Sequence, residues 1–312
     1  MNPAFSVVVF TTLAGAAQGL VAALAVAVLA GALPAGASFL GVALAVAEVM
    51  LLVSLGASFL HLGRPERAWR AVLMWRTSWL SREVIVLPAF MAAVALWWLA
   101  IQIGAPSPLL PQLLPLLALA LALLLWYCTA MIYACIRFIQ EWAHPLTPIN
   151  YLLIGLSSGL VLTGALAVAA GEAALAARLT PWALLVTLAA WGTRILALRR
   201  NALLAPRSTL QSATGIRAAK LRQTSMGMSG GAFNTREFFH RASRAAFRGI
   251  KHAFLVLGFA LPTALLLGLL AGAPAALWLL ALPLQYAGLL AERWFFFAQA
   301  RHPQNLYYQM VS

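Results

Sequence analysis

Phe39-Leu40-Gly41-Val42-Ala43-Leu44-Ala45-Val46-Ala47-Glu48-Val49-Met50-Leu51-Leu52-Val53-Ser54-Leu55-Gly56-Ala57-Ser58-Phe59-Leu60 carries one carboxylate and no cation. At 1.5 Å per residue a helix of this length crosses about 30 Å, the thickness of a bilayer's hydrocarbon. The stretch therefore predicts a membrane-spanning helix at 39–60. Seven further segments have the same character, near 5–30, 84–103, 113–136, 149–170, 182–198, 250–271 and 275–298. Turn residues separate them, as in Leu33-Pro34-Ala35-Gly36, Gly104-Ala105-Pro106-Ser107-Pro108, Pro145-Leu146-Thr147-Pro148 and Gly272-Ala273-Pro274. The expected fold is an all-α integral membrane protein, one domain over 1–312 built as a bundle of eight transmembrane helices.

Composition agrees. The 312 residues are 63% hydrophobic and 9% charged, whereas a soluble surface needs about 25% charged residues. A soluble enzyme is excluded. The formal charge of +14 invites a nucleic-acid partner, but the cations lie only between apolar runs, so no nucleic acid is expected. Met1 to Phe5 holds no Lys or Arg, and the apolar stretch that follows is too long for a signal-peptide core; it reads as a retained helix. Cys128 and Cys135 are seven residues apart on one expected helix, about 10.5 Å along its axis, too far for a disulfide.

Lys and Arg in short loops stay on the cytoplasmic side. Arg64, Arg67, Arg70, Arg76 and Arg82 follow the second segment, and Arg137 closes the fourth. Arg199 to Lys251 flank and fill the loop after the sixth, Arg194 lies near that segment's inner end, and Arg293 and Arg301 flank the end of the eighth. Only Arg178 falls on the other side. Both termini are expected in the cytoplasm of a bacterial inner membrane, in contact with lipid. The loop at 199–249 combines Gly turns with Phe233, Phe238, Phe239 and Phe247, the aromatic and Arg mixture of a docking surface.

Chemistry-bearing residues are few. Glu48 lies about 14 Å into the second helix, where a structural hydrogen bond, for example to Gln18, and a place on a proton path are equally open. His61 ends that helix, and the loop it opens carries five Arg and three Trp (Trp69, Trp75, Trp79) before Ser81-Arg82-Glu83 re-enters the membrane. The aromatic belt and cation retention explain such a composition but not the clustering of His, Arg and Glu. A quinone needs donors to its carbonyls and an acid or base to move protons, and a His and a Glu at a helix rim supply both. None of the five His pairs with another on a helix, so haem is not expected, and two Cys cannot hold an iron–sulfur cluster.

Several segments together resemble the membrane-anchor subunit family of dimethyl sulfoxide reductase type molybdoenzymes over essentially the whole chain. They are Phe10 to Ala16, Ser58-Phe59-Leu60-His61-Leu62-Gly63-Arg64-Pro65-Glu66-Arg67-Ala68-Trp69, Trp79 to Glu83, Ala130 to Ala134, Pro145 to Pro148, and Gly231 to His240 with Asn234, Arg236 and Glu237. The resemblance implies eight helices, no haem, and two soluble partners, a molybdopterin catalytic subunit and a four-cluster iron–sulfur subunit. It ties His61 and Glu83 to the quinone site. The inward charge bias is more similar to the cytoplasm-facing sulfite-oxidising relatives, which implies reduction of ubiquinone or menaquinone.

The expected site is then His61 on one quinone carbonyl and Glu83 as proton carrier, with Arg64, Arg82, Trp69, Tyr133 and Arg137 around the head group. Phe233, Asn234, Arg236, Glu237, Phe238, Phe239 and His240 are expected to dock the iron–sulfur partner. A quinol-oxidising anchor, a purely structural anchor and a transporter are the alternatives.

Overall fold

The computed structural model describes residues 1–34, 38–104, 109–225 and 233–309. The turns expected at 35–37 and 105–108 and the Gly-rich run at 226–232 lie outside the described residues.

The chain is helical throughout, with no strand among the described residues. In order come α1 (Phe5–Leu29), α2 (Ser38–Phe59), α3 (Trp79–Gln102), α4 (Leu110–Ala134), α5 (Leu146–Ala169), α6 (Ala173–Ala202), α7 (Leu210–Thr214), α8 (Phe233–Glu237), α9 (Arg244–Leu255), α10 (Leu261–Leu270) and α11 (Leu277–Ala298). One π-helical turn, Val256–Ala260, joins α9 to α10. Seven spans are long and apolar enough to cross a membrane: α1 to α6 and the continuous Arg244–Leu270, with mean hydropathy from 1.5 to 2.4. The chain is a multi-pass integral membrane protein. The last helix, α11, has 22 residues but carries Glu292 and Arg293 and is not among the seven.

Five spans start several residues earlier than hydropathy suggests, α4 at Leu110 rather than 113 and the seventh at Arg244 rather than 250 among them. α3 begins at Trp79 rather than 84, because Ser78 caps it by accepting from Ser81 N at 3.3 Å; Glu83 is thereby inside the helix. α5 begins at Leu146, since a proline such as Pro148 is tolerated in a first turn whose N–H groups have no helical partner. α6 begins at Ala173 and holds Arg178 and Pro181, residues that apolarity alone had placed outside it.

α1 is the hub. Its Leu20, Val21 and Leu24 are fully buried, and it packs on α2, α4, α5 and α11. Against α5 the approach is backbone to backbone: Gly15 and Gly19 face Gly155 and Gly159, the small-residue spacing that lets two membrane helices meet closely. Gly258 and Gly288 do the same where the π-turn meets α11.

Long-range hydrogen bonds fix which helix ends share a side. Met1 amine donates to Ala298 O and Ala300 O, Trp142 Nε1 to Phe296 O, and Arg200 Nη1 to Gln140 O. The start of α1 and the ends of α4, α6 and α11 therefore lie together, at the end bearing the Arg-rich loops. At the opposite end, Arg178 Nη1 reaches Ala32 O.

Candidate functional site

A small cavity of about 20 Å³, with room for one water, lies inside the bundle between α1, α3, α4, α5 and α11. Glu83, Thr129, Gln18, Tyr151, Ser158 and Arg293 supply its polar wall, and side chains such as Phe10, Leu125 and Leu289 its apolar one. Glu83 is 5% exposed, and Thr129 donates to its Oε1 at 2.5 Å. The early start of α3 places it there, since its fifth residue faces inward one turn above the Ser78 cap.

None of the other expected site residues lines this cavity, so the structure does not bring His61 and Glu83 together in one pocket. His61, Arg64 and Trp69 lie exposed on the loop that follows α2, Trp69 beside the guanidinium of Arg70. That loop winds into a 3-10 segment, Pro65–Met74, with its apolar side chains Leu73, Met74 and Trp75 exposed. Arg82 closes the loop: its Nε donates to Trp75 O at 3.0 Å and its Nη2 to Arg76 O at 2.8 Å, while its guanidinium sits 4.1 Å from the Trp79 ring centroid. Tyr133 lies one turn beyond Thr129 on α4, within an aromatic cluster of Trp142, Tyr151, Phe296 and Phe297 at ring separations of 5.3 to 5.9 Å. Arg137 is exposed, and its carbonyl accepts from Arg207 Nη1 at 3.4 Å. Glu48 is half-buried and does not line the cavity, although Gln18 does. Glu48 Oε2 and Gln18 Oε1 have no hydrogen-bond partner among the described residues, so the bond expected between them is not made there.

Sequence reading missed the most buried charges. Glu292 bridges two guanidiniums, Arg194 Nε and Arg293 Nε, each at 2.7 Å, and the three residues are at most 4% exposed. Arg194 and Arg293 had counted as cations retained at the inner rim. The available signal was the adjacent Glu292-Arg293 inside an otherwise apolar helix, since ionisable residues at membrane depth come paired. Arg293 also lies over the Tyr151 ring, 4.2 Å from its centroid.

This triad floors a second cavity whose rim is formed by Glu141, His144, Arg200 and Asn201. Burial, and then the charge of Arg200, hold His144 below its ordinary 6.5. Tyr151 and Arg293 belong to the walls of both cavities.

Residues 233–240 are held against the C-terminal tail and the N-terminus. Asn234 Nδ2 donates to Tyr308 OH at 2.6 Å, Asn305 Nδ2 to Phe238 O at 3.1 Å, and Asn2 N to Glu237 O at 2.7 Å. Phe238 stacks on His302 at 3.9 Å and His240 on Phe247 at 5.0 Å. Phe233, Arg236 and Glu237 remain exposed, Phe239 is half-buried and Asn234 is buried.

Comparison with known proteins places the whole molecule. The family model described as DMSO reductase anchor subunit (DmsC) matches residues 1–297. A sulfite dehydrogenase subunit of Allochromatium vinosum is 49% identical over 328 aligned positions, covering 100% of both proteins. The anaerobic dimethyl sulfoxide reductase chain YnfH of Escherichia coli K12 is 32% identical over 118 positions, 37% of this chain and 41% of that one. Another anaerobic dimethyl sulfoxide reductase chain of the same organism is 29% identical over 133 positions, 43% and 46% of the two. With a family match over nearly its whole length and a full-length relative, the chain belongs to the DMSO reductase anchor subunit (DmsC) family.

Proposed function

We propose that this anchor subunit is also the quinone-reactive subunit of a molybdopterin and iron–sulfur oxidoreductase complex, and that it reduces membrane quinone with electrons from sulfite oxidation. In this reading eight helices, α11 included, cross the bacterial inner membrane. Both termini and the Arg-rich loops face the cytoplasm, where the iron–sulfur subunit docks on Phe233 to His240 and carries the molybdopterin subunit. The observation that carries the reading is Glu83. A carboxyl group 5% exposed, bonded to Thr129 and set in a polar cavity inside a lipid-embedded bundle, is costly unless used. The full-length similarity to a sulfite dehydrogenase subunit supports the electron donor and direction.

The side chains present are of the types a quinone head group needs; the cavity itself, about 20 Å³, has room for one water, so the head group enters only as the surrounding helices part. Phe10, Leu125 and Leu289 offer an apolar wall, and Thr129, Tyr151 and Arg293 offer donors. Ubiquinone or menaquinone supplies the redox chemistry as substrate, accepting two electrons from the partner and two protons. Glu83 holds and passes a proton at its carboxyl oxygens, with Thr129 fixing their orientation. His61, Arg64 and Trp69 would meet the head group from the exposed loop after α2, and Arg82 ties the end of that loop to α3. Tyr133 and Arg137 flank the lower edge, and Glu48 stands apart, on the α2 side.

The test uses the assembled complex in membranes. His61→Ala and Glu83→Gln should each abolish sulfite-dependent quinone reduction and leave sulfite-dependent reduction of a soluble dye intact. Full quinone coupling in both variants would overturn the reading and leave a purely structural anchor. Activity only in the reverse direction, quinol oxidation, would reassign the electron flow.

A further inference from the structure

Four charged side chains are buried among the described residues: Glu83, Arg194, Glu292 and Arg293. Glu292 is shared by both guanidiniums at 2.7 Å, so the triad retains one positive charge. A buried charge without a counterpart is expensive, and natural structures satisfy it with a second charge or a ligand. Arg293 Nη1 and Tyr151 OH are buried and have no hydrogen-bond partner among the described residues. Both residues line the cavity that contains Glu83, whereas Arg194 lines only the neighbouring one. Arg194 Nη2 is likewise buried without a partner among the described residues, but of the two arginines only Arg293 shares a cavity with Glu83.

We propose that Arg293 is the group in the cavity it shares with Glu83 that binds an oxygen of the quinone head group; the inference rests on the quinone reading above. Glu292 fixes Arg293 through its Nε and leaves the Nη groups for the ligand. Arg194 holds Glu292 from the other side, so the guanidinium is oriented before anything binds. A planar guanidinium fixed in this way donates to an electron-rich oxygen without reorganising. The preference should be for ligands whose oxygen carries negative charge, which describes a hydroxyquinoline N-oxide as well as a reduced head group that has yet to take its second proton. Tyr151 OH, beneath the same guanidinium, is the neighbouring donor.

The experiment titrates the purified complex with a hydroxyquinoline N-oxide, read by quenching of the probe's fluorescence, alongside KM for a short-chain quinone and soluble-dye activity. A charge-assisted hydrogen bond lost in Arg293→Gln should weaken probe binding by about ten- to a hundredfold and raise KM in parallel. Dye activity should be unchanged. Arg293→Lys keeps the charge and the contact with Glu292 but lacks the planar fork, so several-fold weakening is expected. It also carries the test if the Gln variant fails to accumulate. Wild-type probe affinity in an assembled Arg293→Lys or Arg293→Gln complex would overturn the assignment. If Glu83→Gln still loses quinone coupling in that case, only the role of Arg293 falls. If both positions are silent, the cavity is not the quinone site.

Discussion

Gly19 sits where α1 comes closest to α5, so replacing it by alanine tests whether the core geometry is as tight as the backbone contacts indicate. A Cβ built on Gly19 would lie 2.9 Å from Gly159 Cα, 3.0 Å from Gly155 C and nearer still to Gly155 O. Ordinary contact begins at 3.4 Å. The helices must therefore part by about half an ångström at Gly159 and by more at the carbonyl, and none of these atoms can rotate away as a side chain would. Overpacking costs about 1–3 kcal/mol, and a backbone obstacle puts Gly19→Ala at the upper end, about 3 kcal/mol. Gly56 on α2 has nothing within 4 Å of its built Cβ; Gly56→Ala should be neutral or stabilising by up to about 1 kcal/mol, because alanine is the better helix former. The assay is denaturant unfolding in mixed micelles, with Gly56→Ala as reference. Gly155 borders the Glu83 cavity, so Gly19→Ala should also lower quinone coupling more than dye activity. Equal stability of the two variants would refute the proposed close approach of α1 and α5.

Removing the charge of Glu292 leaves two buried guanidiniums unpaired; Glu292→Gln should cost about 3–5 kcal/mol and sharply reduce the amount of folded chain recovered in detergent, whereas the exposed Arg178→Gln should not. Tyr308→Phe removes the hydroxyl that Asn234 donates to. A lost hydrogen bond of about 1 kcal/mol should raise tryptic cleavage at Arg236 and Arg241 about fivefold, measured by limited proteolysis. The same region should loosen in acid. Burial first, and then the N-terminal amine, hold His240 and His302 below their ordinary 6.5. The folded loop therefore binds fewer protons than the unfolded one just below pH 6.5, and its stability falls as pH drops through that window and is level above it. Cleavage should rise between pH 7.5 and 5.5, and a flat profile would refute the link to these imidazoles.

Most of the architecture was legible because bilayer thickness dictates helix length. Apart from α11, which is not among the seven apolar spans, hydropathy missed helix boundaries, and for a common reason. Ser78 and Pro148 are polar or helix-breaking residues that a helix start accepts at an interface, and Arg178 lies in the second turn of α6, so apolarity marks the hydrocarbon while the helix runs on past it. That difference of five residues at α3 is what puts Glu83 inside the bundle. The residue was identifiable from its neighbourhood in sequence, but its partner was not: Thr129 lies 46 positions away, and nothing local to either residue encodes the pairing. Gly15-x-x-x-Gly19 and Gly155-x-x-x-Gly159 did carry a readable spacing, one that reports which helix faces are close-packed.

The buried triad exposes a limit of reading cations by side alone. Counting Lys and Arg assigns orientation because most of them stay in water, and Arg194 and Arg293 add to the count on the correct end of the bundle while lying inside it, 2% and 4% exposed. An arginine retained at that depth implies a carboxylate or a ligand nearby, so the sequence question should have been which of the seven Glu could reach it. Glu292 answers for one charge. The remaining charge lies in a triad whose Arg293 lines the same cavity as Glu83, and an arrangement in which a cation and a buried carboxyl share a pocket has little structural use in a purely passive anchor, where two apolar side chains would pack at lower cost. Replacing Glu292 and both arginines together by apolar residues of similar volume should therefore give a well-folded anchor that still binds its partners, as judged by co-purification, and that has lost quinone coupling. Retained coupling in that triple variant would show that the charges serve packing alone.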